Sequence, residues 1–173
     1  MEKCLIVVDF QNDFVDGSLG FENANDIENH ICNLIEEYKS NGNDVIFTKD
    51  THPENYMDLQ EGKNLPIPHC IKGTPGHELY GRVKELSEGC EIFEKPTFPS
   101  LELGNYLATK NYDEVTLVGL VSNICVISNA IIAKAALPEA KIIVDKKGTD
   151  SFDKKTQEKS FQVMANGLQI EVL

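Results

Sequence analysis

Five short apolar runs punctuate this chain: "CLIVVD" at 4–9, "DVIFTK" at 44–49, "CEIFEK" at 90–95, "EVTLVG" at 114–119 and "KIIVD" at 141–145. A continuous apolar run is what a strand buried on both faces requires. Helical periodicity fills the intervals. Ile27, Ile31, Leu34, Ile35 and Tyr38 recur at helical spacing across 26–39, and Gly42 marks the end. Further helices are expected at 77–87, 101–110 (around Leu103 and Leu107), 124–136 and 154–165, with a last strand at 168–172. Such alternation predicts an α/β fold: a three-layer α/β/α arrangement, Rossmann-like, about a mostly parallel six-stranded sheet with right-handed crossovers. No repeat or linker interrupts the order, so residues 1–173 are expected to form a single domain.

Charge excludes some partners. With 28 Asp and Glu against 16 Lys and Arg, the net charge is −12, which disfavours nucleic acid and anionic membrane alike. No run approaches the roughly 18 apolar residues of a membrane span. The start, "MEKCLIVVDF", lacks the cationic head and small-residue exit of a signal peptide and reads as a first strand, so cytoplasmic residence is expected. Five cysteines, odd in number and without a C-x-x-C pair, are then expected as thiols. Cys4 and Cys90 read as strand packing residues and Cys32 as part of a helix face.

In a parallel sheet, ligands bind beyond the carboxyl ends of the strands. Three expected strands deliver reactive groups there: Asp9, Lys95 and, one turn past 114–119, Cys125. If those strands lie near the sheet centre, a carboxylate, an ammonium and a thiol converge on one crevice. Thiolate is the nucleophile, and a reference pKa of about 8.5 leaves little of it at neutral pH. Lys95 and the following helix start would stabilise it, while Asp9 would take the proton and return it to a leaving amine. The turn "DFQNDFVDGSLG" has neither G-x-G-x-x-G nor G-x-x-x-x-G-K-[ST], which disfavours nucleotide phosphates.

"IVVDFQNDF" at 6–14, "TKDTHPENY" at 48–56, "PHCIKGTPGHEL" at 68–79, "FEKPTF" at 93–98 and "GLVSNICV" at 119–126 resemble, in order, the motifs of the isochorismatase-like cysteine hydrolases, and among them the nicotinamidases. The resemblance implies a catalytic triad of Asp9, Lys95 and Cys125. It also implies a cis peptide at Leu120–Val121, with the backbone amides of Val121 and Cys125 forming an oxyanion hole. Asn123 stands where many relatives carry aspartate. The activity implied is cysteine amidohydrolysis of a small-molecule amide, with nicotinamide giving nicotinate and ammonia. Relatives often assemble as dimers or tetramers, so a homo-oligomer is expected.

A divalent metal is implied as well. Asp50 and His52, in "DTH", extend to the same side of an extended segment, and with His69 they match the family's ligands. A fourth ligand is expected at Glu61, since Tyr56 stands where other relatives place a histidine. Carboxylate and imidazole donors together suit Zn, Fe, Mn or Co. Cys70, beside His69, is not a ligand in the family pattern, and His30 and His77 read as solvent-facing. Phe14 matches an aromatic that stacks on the substrate ring. The tryptophan that forms the opposite wall in nicotinamidases is absent, which leaves Tyr56 or Phe98 in its place. Two other readings remain: a C–N hydrolase of the superfamily acting on a carbamoyl or ureido compound, and a non-catalytic binding protein on the same fold. Asp50, His52 and His69 weigh against the first, and the intact Asp, Lys and Cys set against the second.

Overall fold

Each apolar run becomes a strand of one all-parallel sheet in the computed structural model, which describes residues 1–173. The strands are β1 (Lys3–Val8), β2 (Asp44–Asp50), β3 (Glu91–Lys95), β4 (Glu114–Leu120), β5 (Lys141–Asp150) and β6 (Glu171–Val172). Seven helices connect or follow them: α1 (Asn12–Val15), α2 (Glu28–Ser40), α3 (Gln60–Asn64), α4 (Gly81–Leu86), α5 (Leu101–Leu107), α6 (Ile127–Ala136) and α7 (Lys154–Gly167). No helix is long and apolar enough to cross a membrane.

Side-chain alternation along β1 explains its unbroken apolar sequence. Cys4, Ile6 and Val8 join one buried cluster with Leu103 of α5, Ala130 of α6 and Met164 of α7. Leu5 and Val7 join the other, with Ile31 and Ile35 of α2 and Val83 of α4. Both faces of the central strand are therefore dry, and a polar residue on either would be stranded.

Spatial order is β3-β2-β1-β4-β5-β6. The chain moves outward from β1 to β3, then crosses back to lay β4 against the other side of β1. That reversal opens a crevice above the carboxyl ends of β1 and β4. β3, expected near the centre, is an edge strand. β6 pairs only with Ile143 and Val144 and is shorter than the expected 168–172, whereas β5 runs on to Asp150. Cys90 lies just before β3 and is half-buried. The segment 50–76 holds a 3₁₀ turn at Tyr56–Asp58 as well as α3. A separate 3₁₀ turn at Pro75–His77 delays the start of α4 to Gly81.

Gly119, opposite Val8 in the β1–β4 ladder, fixes how closely these strands approach. Its φ is +110°, and a Cβ there would lie 2.0 Å from the Val8 carbonyl oxygen. Gly119→Ala is expected to lower the melting temperature by roughly 5 °C or more, since positive φ alone costs about 1–3 kcal/mol before the clash. Thermal unfolding followed by circular dichroism checks this, and an unchanged midpoint would contradict it.

Candidate active site

Lys95, Asp9 and Cys125 meet above the crevice even though Lys95 comes from the edge strand. Its four-carbon stem spans the β2 strand end, bringing Nζ to 2.6 Å from Asp9 Oδ2, 3.6 Å from Cys125 Sγ and 3.8 Å from Asp50 Oδ1. The ammonium also donates to the Thr97 carbonyl at 3.1 Å. Lys95 and Asp9 are almost wholly buried, and Cys125 is 6% exposed. Thr48 positions Asp9 from the neighbouring strand. Its hydroxyl donates to Asp9 Oδ1 at 2.7 Å, and its carbonyl accepts from the Asp9 amide at 3.1 Å. Asp9 Oδ2 is ion-paired with the Lys95 ammonium and takes no hydrogen bond from any other group.

Cys125 sits in a π-helical turn at Ser122–Val126 rather than in the first turn of an ordinary α-helix, as the expected 124–136 helix would have it. Such turns widen the helix locally and recur at functional sites. Asn129 anchors the turn: its Nδ2 donates to the Cys125 and Phe98 carbonyls at 2.8 and 3.0 Å, and its Oδ1 accepts from the Ser100 amide at 3.0 Å. The nucleophile turn is thereby tied to the loop that follows Lys95. The Leu120–Val121 peptide is cis, as expected. No group of the chain accepts from the Val121 amide, and Val121 lines the adjoining cavity.

Burial governs the charges here. It raises the Cys125 thiol well above its usual range, the Asp9 charge adds to this, and Lys95 opposes both. Asp9 is also raised, by burial first, with Lys95 pulling down and Asp50 pushing up. Burial would strip the proton from Lys95, but Asp9, Cys125 and Asp50 outweigh it and hold the ammonium. Burial and mutual repulsion thus raise both groups, and Lys95 opposes the rise in each.

Beside this group lie Asp50, His52, Glu61 and His69, with one donor atom from each inside 4.8 Å. Asp50 Oδ2 is 2.9 Å from His52 Nε2 and 3.3 Å from His69 Nε2, and Glu61 Oε1 is 3.6 Å from both nitrogens. His69 Nδ1 donates to the Ile67 carbonyl at 2.8 Å, which turns Nε2 toward the carboxylates. Burial lowers the His69 pKa, but hydrogen bonds to Asp50 and Glu61 overcome it and raise it to about 10. Burial would raise Asp50, yet the hydrogen bonds from His52 and His69 and the charge of Lys95 hold it below the usual carboxylate range. Two imidazoles and two carboxylates, converging and drawing positive charge, suit a divalent cation. Gln11, which sequence reasoning passed over, clamps the Asp50 backbone: Nε2 donates to its carbonyl at 2.9 Å and Oε1 accepts from its amide at 2.8 Å. Its only signal was a polar residue beside a strand end.

A cavity of about 380 Å³ opens onto both groups. Cys125, Val121, Asp50, Glu61 and His69 reach its wall, and Phe14 and Phe98 line it as expected. Tyr56 does not. It is fully buried, packed edge-on against His52 and His69, with its hydroxyl donating to the Leu65 carbonyl at 2.9 Å. A phenol held there supports the histidines and cannot face a substrate. Leu65, Phe21 and Phe152 supply apolar wall that sequence reasoning missed. His77 is buried instead of solvent-facing, its Nε2 2.8 Å from the Thr51 hydroxyl. Burial, with Lys49 nearby, holds its imidazole below the usual histidine range. His30 is half-buried and paired with Asp145 at 2.7 Å.

Comparison with known proteins agrees with this architecture. Residues 3–171 match the family model described as Isochorismatase domain. The uncharacterized isochorismatase family protein PncA of Bacillus subtilis is 33% identical, with 99% of each chain covered. The crystal structure of nicotinamidase/pyrazinamidase PncA from Bacillus subtilis superposes with a TM-score of 0.89 at 30% identity, covering 99% of both chains. The pyrazinamidase of Pyrococcus horikoshii in complex with zinc gives 0.87 at 26% identity, over 100% of this chain and 99% of that one. Matched along nearly its whole length, this chain belongs to the isochorismatase family.

Proposed function

We propose that this chain is a metal-containing cysteine amidohydrolase that converts nicotinamide to nicotinate and ammonia. The observation that carries the reading is the buried Lys95 ammonium, 2.6 Å from Asp9 and 3.6 Å from the Cys125 thiol, at the wall of a cavity shared with Asp50, Glu61 and His69. Relatives named nicotinamidase or pyrazinamidase support the choice of substrate.

Cys125 Sγ attacks the carboxamide carbon as its proton passes to Asp9. Sharing one proton across the Asp9–Cys125 pair makes this transfer short and avoids a second buried anion. Negative charge that develops on the carbonyl oxygen is taken by the Val121 and Cys125 amides; losing one such donor typically costs on the order of 10²–10³ in rate. Asp9 returns the proton to the amide nitrogen, the C–N bond breaks, and ammonia leaves a thioester on Cys125. Asp9, again a carboxylate, accepts a proton from water as the oxygen adds to the thioester carbon. The C–S bond then breaks, the proton returns to sulfur, and nicotinate departs. Lys95 keeps its charge throughout and holds Asp9 and sulfur in register.

Asp50, His52, Glu61 and His69 would hold the divalent ion, which when bound supplies a Lewis acid for a ring nitrogen of the substrate. Zinc accompanies the Pyrococcus horikoshii relative, and the donor set also suits Fe, Mn or Co. Phe14 packs against His69 with ring centroids 5.6 Å apart and so offers a face to the substrate ring, with Phe98 at the mouth.

Ammonia release from nicotinamide tests the mechanism. Cys125→Ala should lower it by roughly 10⁴-fold or more with the melting temperature unchanged. Turnover retained in that variant would sink the thioester route. Dialysis against a chelator is expected to remove one equivalent of divalent metal and most nicotinamide turnover, both restored by adding the ion back. Full turnover in metal-free protein would contradict the metal assignment, and activity confined to carbamoyl or ureido compounds would contradict the substrate.

A further inference from the structure

The four metal-site donors are approached from two sides that differ in chemistry. The catalytic cavity reaches Asp50, Glu61 and His69, but its path outward runs past Phe14, Leu19, Phe21, Phe98, Ile124 and Phe152. A second cleft, of about 490 Å³, reaches His52 and Glu61 from the surface between α3 and the loop after β3. Its wall sets Gln60, Asn64, Thr97 and Glu61 among Leu59, Leu65, Pro96 and Phe98, with no lysine or arginine. Gln60, Asn64 and Thr97 are exposed, whereas His52 is buried at the cleft's inner end. Glu61, Leu65 and Phe98 belong to both walls.

A divalent cation travels with a firmly held water shell, and its carriers are oxygen ligands that replace those waters one by one. The catalytic cavity offers one side-chain hydroxyl, that of Ser18, before the donors are reached, so a hydrated ion would be stripped largely against apolar wall at high cost. The cleft offers three exposed amide and hydroxyl side chains and the Glu61 carboxylate along its wall. We propose that this cleft is the loading route for the divalent cation, with Glu61 as the first strong ligand and Gln60, Asn64 and Thr97 as transient oxygen contacts. Ion and substrate then use separate openings, and an occupied substrate cavity does not bar exchange of the ion. The proposal rests on reading Asp50, His52, Glu61 and His69 as the metal ligands.

Stopped-flow loading of Co²⁺ into chelator-stripped protein, followed by its visible absorption bands, tests the route. Asn64→Trp and Thr97→Trp narrow the cleft, and Leu19→Trp narrows the apolar cavity. Both cleft variants should load at least about tenfold more slowly than wild type at unchanged final occupancy, while Leu19→Trp stays within about twofold. Wild-type rates in the cleft variants, or selective slowing in Leu19→Trp, would overturn the route while leaving the metal site intact. Failure of even the wild-type protein to bind Co²⁺ at equilibrium would overturn the metal assignment and the route with it.

Discussion

A lysine ammonium with no solvent exposure, held against two carboxylates and a thiol, sets the terms for the rest of this molecule. Burying one charge without a partner costs several kcal/mol, so Lys95, Asp9 and Asp50 are each tolerable only because the others are present. The ammonium offsets Asp9 directly and opposes the rise that burial imposes on the Asp9 and Cys125 pKa values. Asp50 carries the same charge balance into the neighbouring cluster, since its carboxylate faces Lys95 with one oxygen and the two imidazoles with the other. The proposed nucleophile and the proposed metal ligands therefore form one electrostatic unit.

Backbone geometry makes this assembly possible. β2 and β3 pair in register so that Asp50 lies opposite Lys95 at their common carboxyl end. Gly119 lets β4 close on β1, which sets the thiol-bearing turn beside Asp9. Thr48, Gln11 and Asn129 then hold the parts with hydrogen bonds inside the dry interior, where such bonds exclude alternatives as much as they add stability. The cavity beyond is apolar on most of its wall and polar only where the reacting groups emerge, an arrangement that suits a flat ring bearing one amide.

Much of this was legible in the sequence because it follows from strand ends. Apolar runs without alternation reveal a parallel sheet, and the sheet dictates where Asp9, Asp50, Lys95 and Cys125 emerge. What escaped was set by tertiary packing. β3 carries Glu91 and Glu94, a sign of its edge position that was passed over, while the reach of Lys95 across β2 was invisible. His77 looks like a solvated helix start until its neighbours bury it, and Tyr56 looks like a cavity wall until two histidines cover its ring. The π-helical turn at Cys125 has no periodic signature, because it differs from an α-helix by one inserted residue. β6 is too short for any pattern to mark its ends.

The claim that one buried ammonium sustains the site is open to a direct thermodynamic measurement. Urea unfolding of wild type, Lys95→Met, Asp9→Asn and the double variant yields the coupling free energy between the two side chains. Lys95→Met alone should cost roughly 3–5 kcal/mol, and much less once Asp9 is neutral, for a coupling of about 2 kcal/mol or more. Additive losses, with the lysine costing the same whether or not Asp9 is charged, would contradict the account.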